Sequence, residues 1–106
     1  MKVHHGWSGE VAPNKWVKFY VALDEDDFRR MLTRSGIRAS DDVRWGIQLT
    51  AVYQLLELEA ERLVLYKLIT RYGYDPAEGR AKIADLGRQI DERLAAIKAG
   101  VKAAGR

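Results

Sequence analysis

Six carboxylates are the residues best suited by type to do chemistry: Glu57, Glu59 and Glu61 in one segment, and Asp85, Asp91 and Glu92 in another. Acids on facing helices can hold a divalent ion and activate water, as in metal-assisted hydrolysis of phosphate esters. The spacing argues against this. On a helix Glu57 and Glu61 share the polar, solvent-facing side while Glu59 points elsewhere, and with Arg62 and Arg88 nearby the set reads as a solvated charge face. His4 and His5 are adjacent, and neighbouring residues of one segment seldom reach a common metal. The chain has no cysteine, which removes disulfides, thiolate metal sites and a cysteine nucleophile. Gly6-Trp7-Ser8-Gly9 lacks the pattern and the strand-to-helix setting of a nucleophile elbow, and no glycine loop of the phosphate-cradling kind occurs. The expectation is a non-enzymatic protein with no metal and no cofactor.

Binding chemistry is better represented. Lys15-Trp16-Val17-Lys18-Phe19-Tyr20 interleaves cations with aromatics, the composition that follows a phosphate backbone while stacking bases. Lys15, Trp16, Lys18 and Tyr20 are therefore candidate contacts to nucleic acid or another partner. The plainer reading makes Trp16, Phe19 and Tyr20 packing residues. Lys98 and Lys102 belong to an acid-free C-terminal stretch and are further candidates, although cations there would also offset the carbonyl end of a helix.

The elements that must carry these residues follow from pattern. The 106 residues suit one domain, 1–106. With 47% hydrophobic and 31% charged residues the chain should fold, and its net charge of +3 is spread evenly enough to name no partner. Apolar runs such as residues 63–66 are far shorter than the about 20 residues that cross a bilayer. The N-terminus has no apolar signal-type stretch, so a cytoplasmic protein without membrane contact is expected.

Gly6, Ser8, Gly9, Pro13 and Asn14 make the opening segment irregular or a short hairpin. Residues 15–23 alternate as a strand, with Val17, Phe19, Val21 and Leu23 on a core face and Trp16, Lys18, Tyr20 and Ala22 on a partly exposed one. Asp24 is an N-cap with Glu25, Asp26 and Asp27 in the first turn. A helix of about ten residues follows, burying Phe28, Met31 and Leu32 and stopping at Ser35-Gly36; strand and short helix together span 1–36. Ser40, followed by Asp41 and Asp42, caps a long helix over 41–73, which Gly46 weakens by about 1 kcal/mol; the alternative is a start nearer Ile47. One apolar stripe runs through Trp45, Leu49, Val52, Leu56, Leu63 and Tyr66, and another through Leu55, Leu58, Leu65, Ile69 and Tyr72. Gly73 ends this helix, and Asp75, Pro76 and Glu78 open the last one, 76–104, as N-cap, N1 proline and capping-box acid. Its seam is Ile83, Leu86, Ile90, Leu94, Ile97 and Val101, with Glu78 and Lys82 as an i,i+4 pair.

The order strand, short helix, glycine-containing turn and longer helix over residues 15 to about 55 resembles the ribbon-helix-helix repressors, in which paired strands of a dimer enter the DNA major groove. The resemblance implies that Lys18, Tyr20 and Trp16 face bases. Two features depart from it: the first helix is about one turn short, and Asp41-Asp42 stand where that family directs a helix N-terminus at a phosphate. The family is not assigned on this basis.

A helix over 41–72 would be about 48 Å long, whereas a compact domain of about 100 residues has a diameter near 35 Å. The helical hairpin must overhang, and one apolar stripe is left without cover. The expected fold is thus mostly α, with a short N-terminal β strand or hairpin, one short helix and a long antiparallel helical hairpin that forms a dimeric helical bundle. Leu56, Leu63, Leu65, Tyr66, Ile69, Ile83, Ile90 and Ile97 are the expected oligomer interface. The competing arrangement breaks the helix near Gly46 and covers the second stripe with the N-terminal strand region. In function the sequence points to a homo-oligomeric protein-interaction module or inhibitor, with the chain itself and another protein as partners. The alternative is a nucleic-acid-binding regulator that uses the basic-aromatic strand 15–20.

Overall fold

The computed structural model describes residues 2–37, 49–75 and 77–104, the last four of these as backbone. Its elements are β1 (Lys2–Ala12), β2 (Lys15–Asp24), α1 (Glu25–Arg34), α2 (Leu49–Tyr72) and α3 (Gly79–Ala104). The expected cap Ser40, the N1 proline Pro76, the acids Asp41 and Asp42, Trp45 and a break at Gly46 lie outside the described residues.

The opening segment is the first strand of a hairpin, as one of the two expectations had it, and the hairpin is longer than expected. β1 pairs antiparallel with β2 over nearly its whole length, with Val3 opposite Leu23, Trp7 opposite Phe19 and Glu10 opposite Trp16. Pro13 and Asn14 make the turn; Asn14 takes a left-handed φ of 60°, which asparagine tolerates, and its amide donates to Glu10 Oε1 at 2.7 Å. Glycine and serine, poor strand formers, concealed the period of two in β1. They serve local packing: a Cβ on Gly9 would lie 3.0 Å from the Trp7 ring, so the glycine lets the indole lie flat along its own strand.

Asp24 caps α1 as the sequence predicts. Its carboxylate accepts from the amides of Asp26 and Asp27, and the Asp27 side chain accepts in return from the Asp24 amide at 2.9 Å. At the other end Gly36 has φ 76°, its amide donates to Thr33 and that of Ile37 to Leu32. This pair of bonds is a Schellman closure that seats Ile37 in the core.

α2 is the central element, touching α3, both strands and α1. Its N-terminal half shares one core cluster with Val3 and Leu23 at the hairpin base, Phe28, Met31 and Leu32 of α1, and Ile90 and Leu94 of α3. Its C-terminal half shares a second with Val11, where Trp7, Val17, Phe19 and Tyr72 pack around Val64 and Leu68. The molecule measures 58 × 25 × 19 Å with a radius of gyration of 15.9 Å, against about 13 Å for a compact domain of this size. The elongation matches the expectation, and the cover is that of the competing arrangement, in which the N-terminal strand region lies on the helix. The hairpin lies along α2 and supplies the second layer within one chain.

The buried positions of α2 are Val52, Leu55, Leu56, Glu59, Ala60, Val64 and Leu68. Ala60, Val64 and Leu68 belong to neither expected stripe, while Leu49 and Tyr66, assigned to the first, are exposed. α3 also differs at its start. Glu78 lies outside the helix at φ 66° and its carbonyl accepts the Lys82 amide, so it cannot complete a capping box with Asp75, whose carboxylate instead pairs with Arg80 at 2.9 Å. Lys82 reaches across to Glu61 at 3.0 Å rather than to Glu78. At the corner Tyr74 packs on Trp7, with ring centroids 5.6 Å apart, before the chain turns back.

Candidate functional site

The six carboxylates do not form one centre. Glu57 is exposed, Glu61 pairs with Lys82, and Glu59 is buried between α1 and α2. The Glu59 carboxylate accepts from Arg62 Nε at 2.6 Å and from Arg34 at 3.3 Å, a clamp that joins the end of α1 to the middle of α2. The expected pairings with Arg62 and Arg88 are present; the burial of Glu59 and its bond to Arg34 were not foreseen, although its position one turn beyond Leu55 and Leu56 was a signal. On α3, Arg88 donates to both Asp85 and Glu92. Its hydrogen bond, with a second from Gln89, holds the Asp85 carboxyl below its ordinary value, and the same acids raise the Arg88 guanidinium. Among the described residues no three His, Asp or Glu side chains converge as a metal site. His4 and His5 stand on opposite faces of the paired strand β1.

The expected interface residues separate into two groups. Leu56 and Ile90 are covered within the chain and are core residues, not free surface. Leu63, Leu65, Ile69, Ile83 and Ile97 are half-buried, and Tyr66 is exposed. The Lys98 ammonium donates to the Ser35 carbonyl at the end of α1 at 3.4 Å, where a cation offsets the dipole of a helix other than its own. The side chain of Lys102 is outside the described residues.

The basic-aromatic strand is divided by its own alternation. Phe19 points inward, stacked on Tyr72 with centroids 5.5 Å apart and covered by the Lys67 ammonium at 4.8 Å. The packing role is right for this residue alone. Trp16 and Tyr20 point outward, 72% and 66% exposed, which is more open than the sequence suggested. With Lys18 and Ala22 they form the β2 half of an outer sheet face; Lys2, His4, Gly6, Ser8 and Glu10 form the β1 half.

Register gives this face its relief. Gly6 stands opposite Tyr20 and Ser8 opposite Lys18, so small residues lie beside large ones. A shallow groove of about 600 Å³ results, lined by Gly6, Trp7, Ser8, Lys18, Phe19 and Tyr20. The His4 ring flanks Tyr20 at 5.8 Å. Lys2 and Lys18 belong to this face and Lys15 is exposed beside the turn; its acids are Glu10, which accepts from the Asn14 amide, and Asp24, opposite Lys2.

No protein-family model, curated protein or solved structure matches this chain. Among the described residues no helix is long and apolar enough to cross a membrane.

Proposed function

We propose that the protein is a non-enzymatic nucleic-acid-binding regulator, working in the cytoplasm, that uses the outer face of its β-hairpin as the contact surface. One observation carries this: Trp16 and Tyr20 stand exposed on either side of Lys18. Exposed rings of this size lose favourable burial, and aromatic faces interleaved with cations fit bases and phosphates together. Binding of labelled DNA or RNA by fluorescence anisotropy is the direct test. Three phosphate contacts from Lys2, Lys15 and Lys18, at a log–log salt slope of about 0.7 to 0.9 each, weaken binding roughly 20- to 40-fold between about 50 and about 200 mM salt. Lys18→Glu should abolish it. No binding to any nucleic acid at about 50 mM salt refutes the proposal.

Self-association as a helical bundle is the second reading, supported by exposed Tyr66 beside half-buried Leu65 and Ile69 on α2. It predicts a mass of about 24 kDa by light scattering, reduced to the monomer by Ile69→Asp. A monomeric wild type removes it. A protein-interaction module or inhibitor would use the same strip.

A further inference from the structure

The outer face also discriminates between forms of nucleic acid, an inference that rests on the nucleic-acid reading above. Trp16 and Tyr20 are four residues apart on one strand, which places their Cα atoms about 13 Å apart at 3.3 to 3.4 Å per residue. Stacked neighbours along a nucleic-acid strand are separated by about 3.4 Å. The two rings are therefore too far apart to take adjacent stacked bases, and each must take a base turned out of the stack. A duplex does not offer base faces, because its bases present only their edges in the grooves. A two-stranded ribbon can enter a major groove, but it reads edges there with hydrogen-bonding side chains. On this face Ser8 and Lys18 are the central polar groups, and Gly6 contributes no side chain.

The remaining geometry fits a splayed strand. Gly6 opposite Tyr20 leaves open space beside the phenol ring, so a base can lie against it, with His4 bounding the far side. Lys18 lies midway between the rings, where the backbone of the intervening nucleotide must pass. Lys2 and Lys18 are the cations of the face and Glu10 and Asp24 its acids, Asp24 standing opposite Lys2 and Glu10 opposite Trp16, so Lys18 is the cation that lies between the two rings.

We infer that the outer face of the hairpin binds single-stranded nucleic acid, stacking two non-adjacent bases on Trp16 and Tyr20 with Lys18 on the backbone between them. The experiment titrates the full chain with an oligothymidylate of about a dozen nucleotides and with a duplex of the same length, following tryptophan fluorescence and anisotropy. The single strand should bind more tightly than the duplex and quench emission, and the quenching should vanish in Trp16→Leu. Base stacking on an aromatic ring contributes a factor of about 5 to 150 in affinity. Trp16→Leu and Tyr20→Ala should each weaken the single strand within that range, and both positions are exposed enough to leave folding intact. Duplex binding at equal or higher affinity overturns the inference and leaves the nucleic-acid reading standing. So does single-strand affinity that depends on Lys18 but is unchanged in both aromatic variants. Absence of binding to either form refutes the nucleic-acid reading and this inference with it.

Discussion

Leu68→Ala tests whether the hairpin truly covers α2. Leu68 is completely buried beneath the hairpin in the cluster with Val11 and Val64. Truncating a buried leucine removes transfer free energy and leaves a cavity, about 2.7 to 5 kcal/mol in well-packed sites. Trp7, Tyr72 and Tyr74 around this site are only partly buried and can move into part of the space, so about 3 kcal/mol is expected. Leu65, half-buried on the neighbouring strip, should lose only about 1 kcal/mol on the same substitution. With about 2.1 cal/mol/K of unfolding entropy per residue, a chain of this length loses roughly 4 to 5 °C of Tm per kcal/mol. Leu68→Ala should therefore melt about 13 °C below wild type and Leu65→Ala about 5 °C below. Far-UV circular dichroism melts at two protein concentrations tenfold apart measure both. Equal losses at the two positions, with a Tm that rises with concentration, would refute the reasoning, because Leu65 would then be buried against a second chain.

Glu59→Gln removes the charge shared by Arg62 and Arg34. Arg34 is 65% exposed at its side chain and Arg62 26%, so both can recover hydration, and the loss should be about 1 to 2 kcal/mol rather than the larger value for a fully buried pair; an unchanged urea midpoint contradicts the clamp. Glu78→Gly should stabilise the protein by about 0.5 kcal/mol, because glycine relieves the left-handed backbone at φ 66° and the relief exceeds its greater freedom in the unfolded chain; a lower Tm contradicts it. Asp24 is held below its ordinary value of 3.8, chiefly by the Asp27 amide and then by the Asp27 side chain and the Asp26 amide. Its contribution to stability is thus complete above 3.8 and is lost as pH falls through the lower folded value. The Tm gap between wild type and Asp24→Ala should accordingly be open at neutral pH and narrow in acid, and a gap independent of pH rules out an anionic cap.

Local signals made much of the fold legible. Asp24 with its acidic first turn, Ser35-Gly36 and Gly73 announce their roles through capping chemistry, which depends on a few neighbouring residues. The alternation of β2 likewise placed Trp16, Lys18 and Tyr20 on one side and Phe19 on the other. What could not be read was which side of α2 meets which neighbour. Leu58, Leu63, Leu65 and Ile69 are as apolar as Val52, Val64 and Leu68, so periodicity does not choose among them, and Ala60 marks the contact by being small rather than greasy. β1 was obscured by Gly6, Ser8 and Gly9, whose role is visible only once Tyr20, Lys18 and Trp7 are seen beside them. A hairpin could be named as one option, but its length and register, and so the relief of its outer face, could not.

The division of the core into two clusters along α2 implies unequal resistance to opening. The hairpin base is fastened by α1, α3 and the N-terminal half of α2 together, whereas the distal half rests on Val64 and Leu68 beneath a partly exposed aromatic layer. Amide hydrogens near Val11 and Val17 should exchange through a partial opening that leaves those near Val3 and Leu23 protected. Trp16 rides on the more labile end and Tyr20 nearer the secure one, so opening at the turn would loosen one end of the outer face while the other stays anchored.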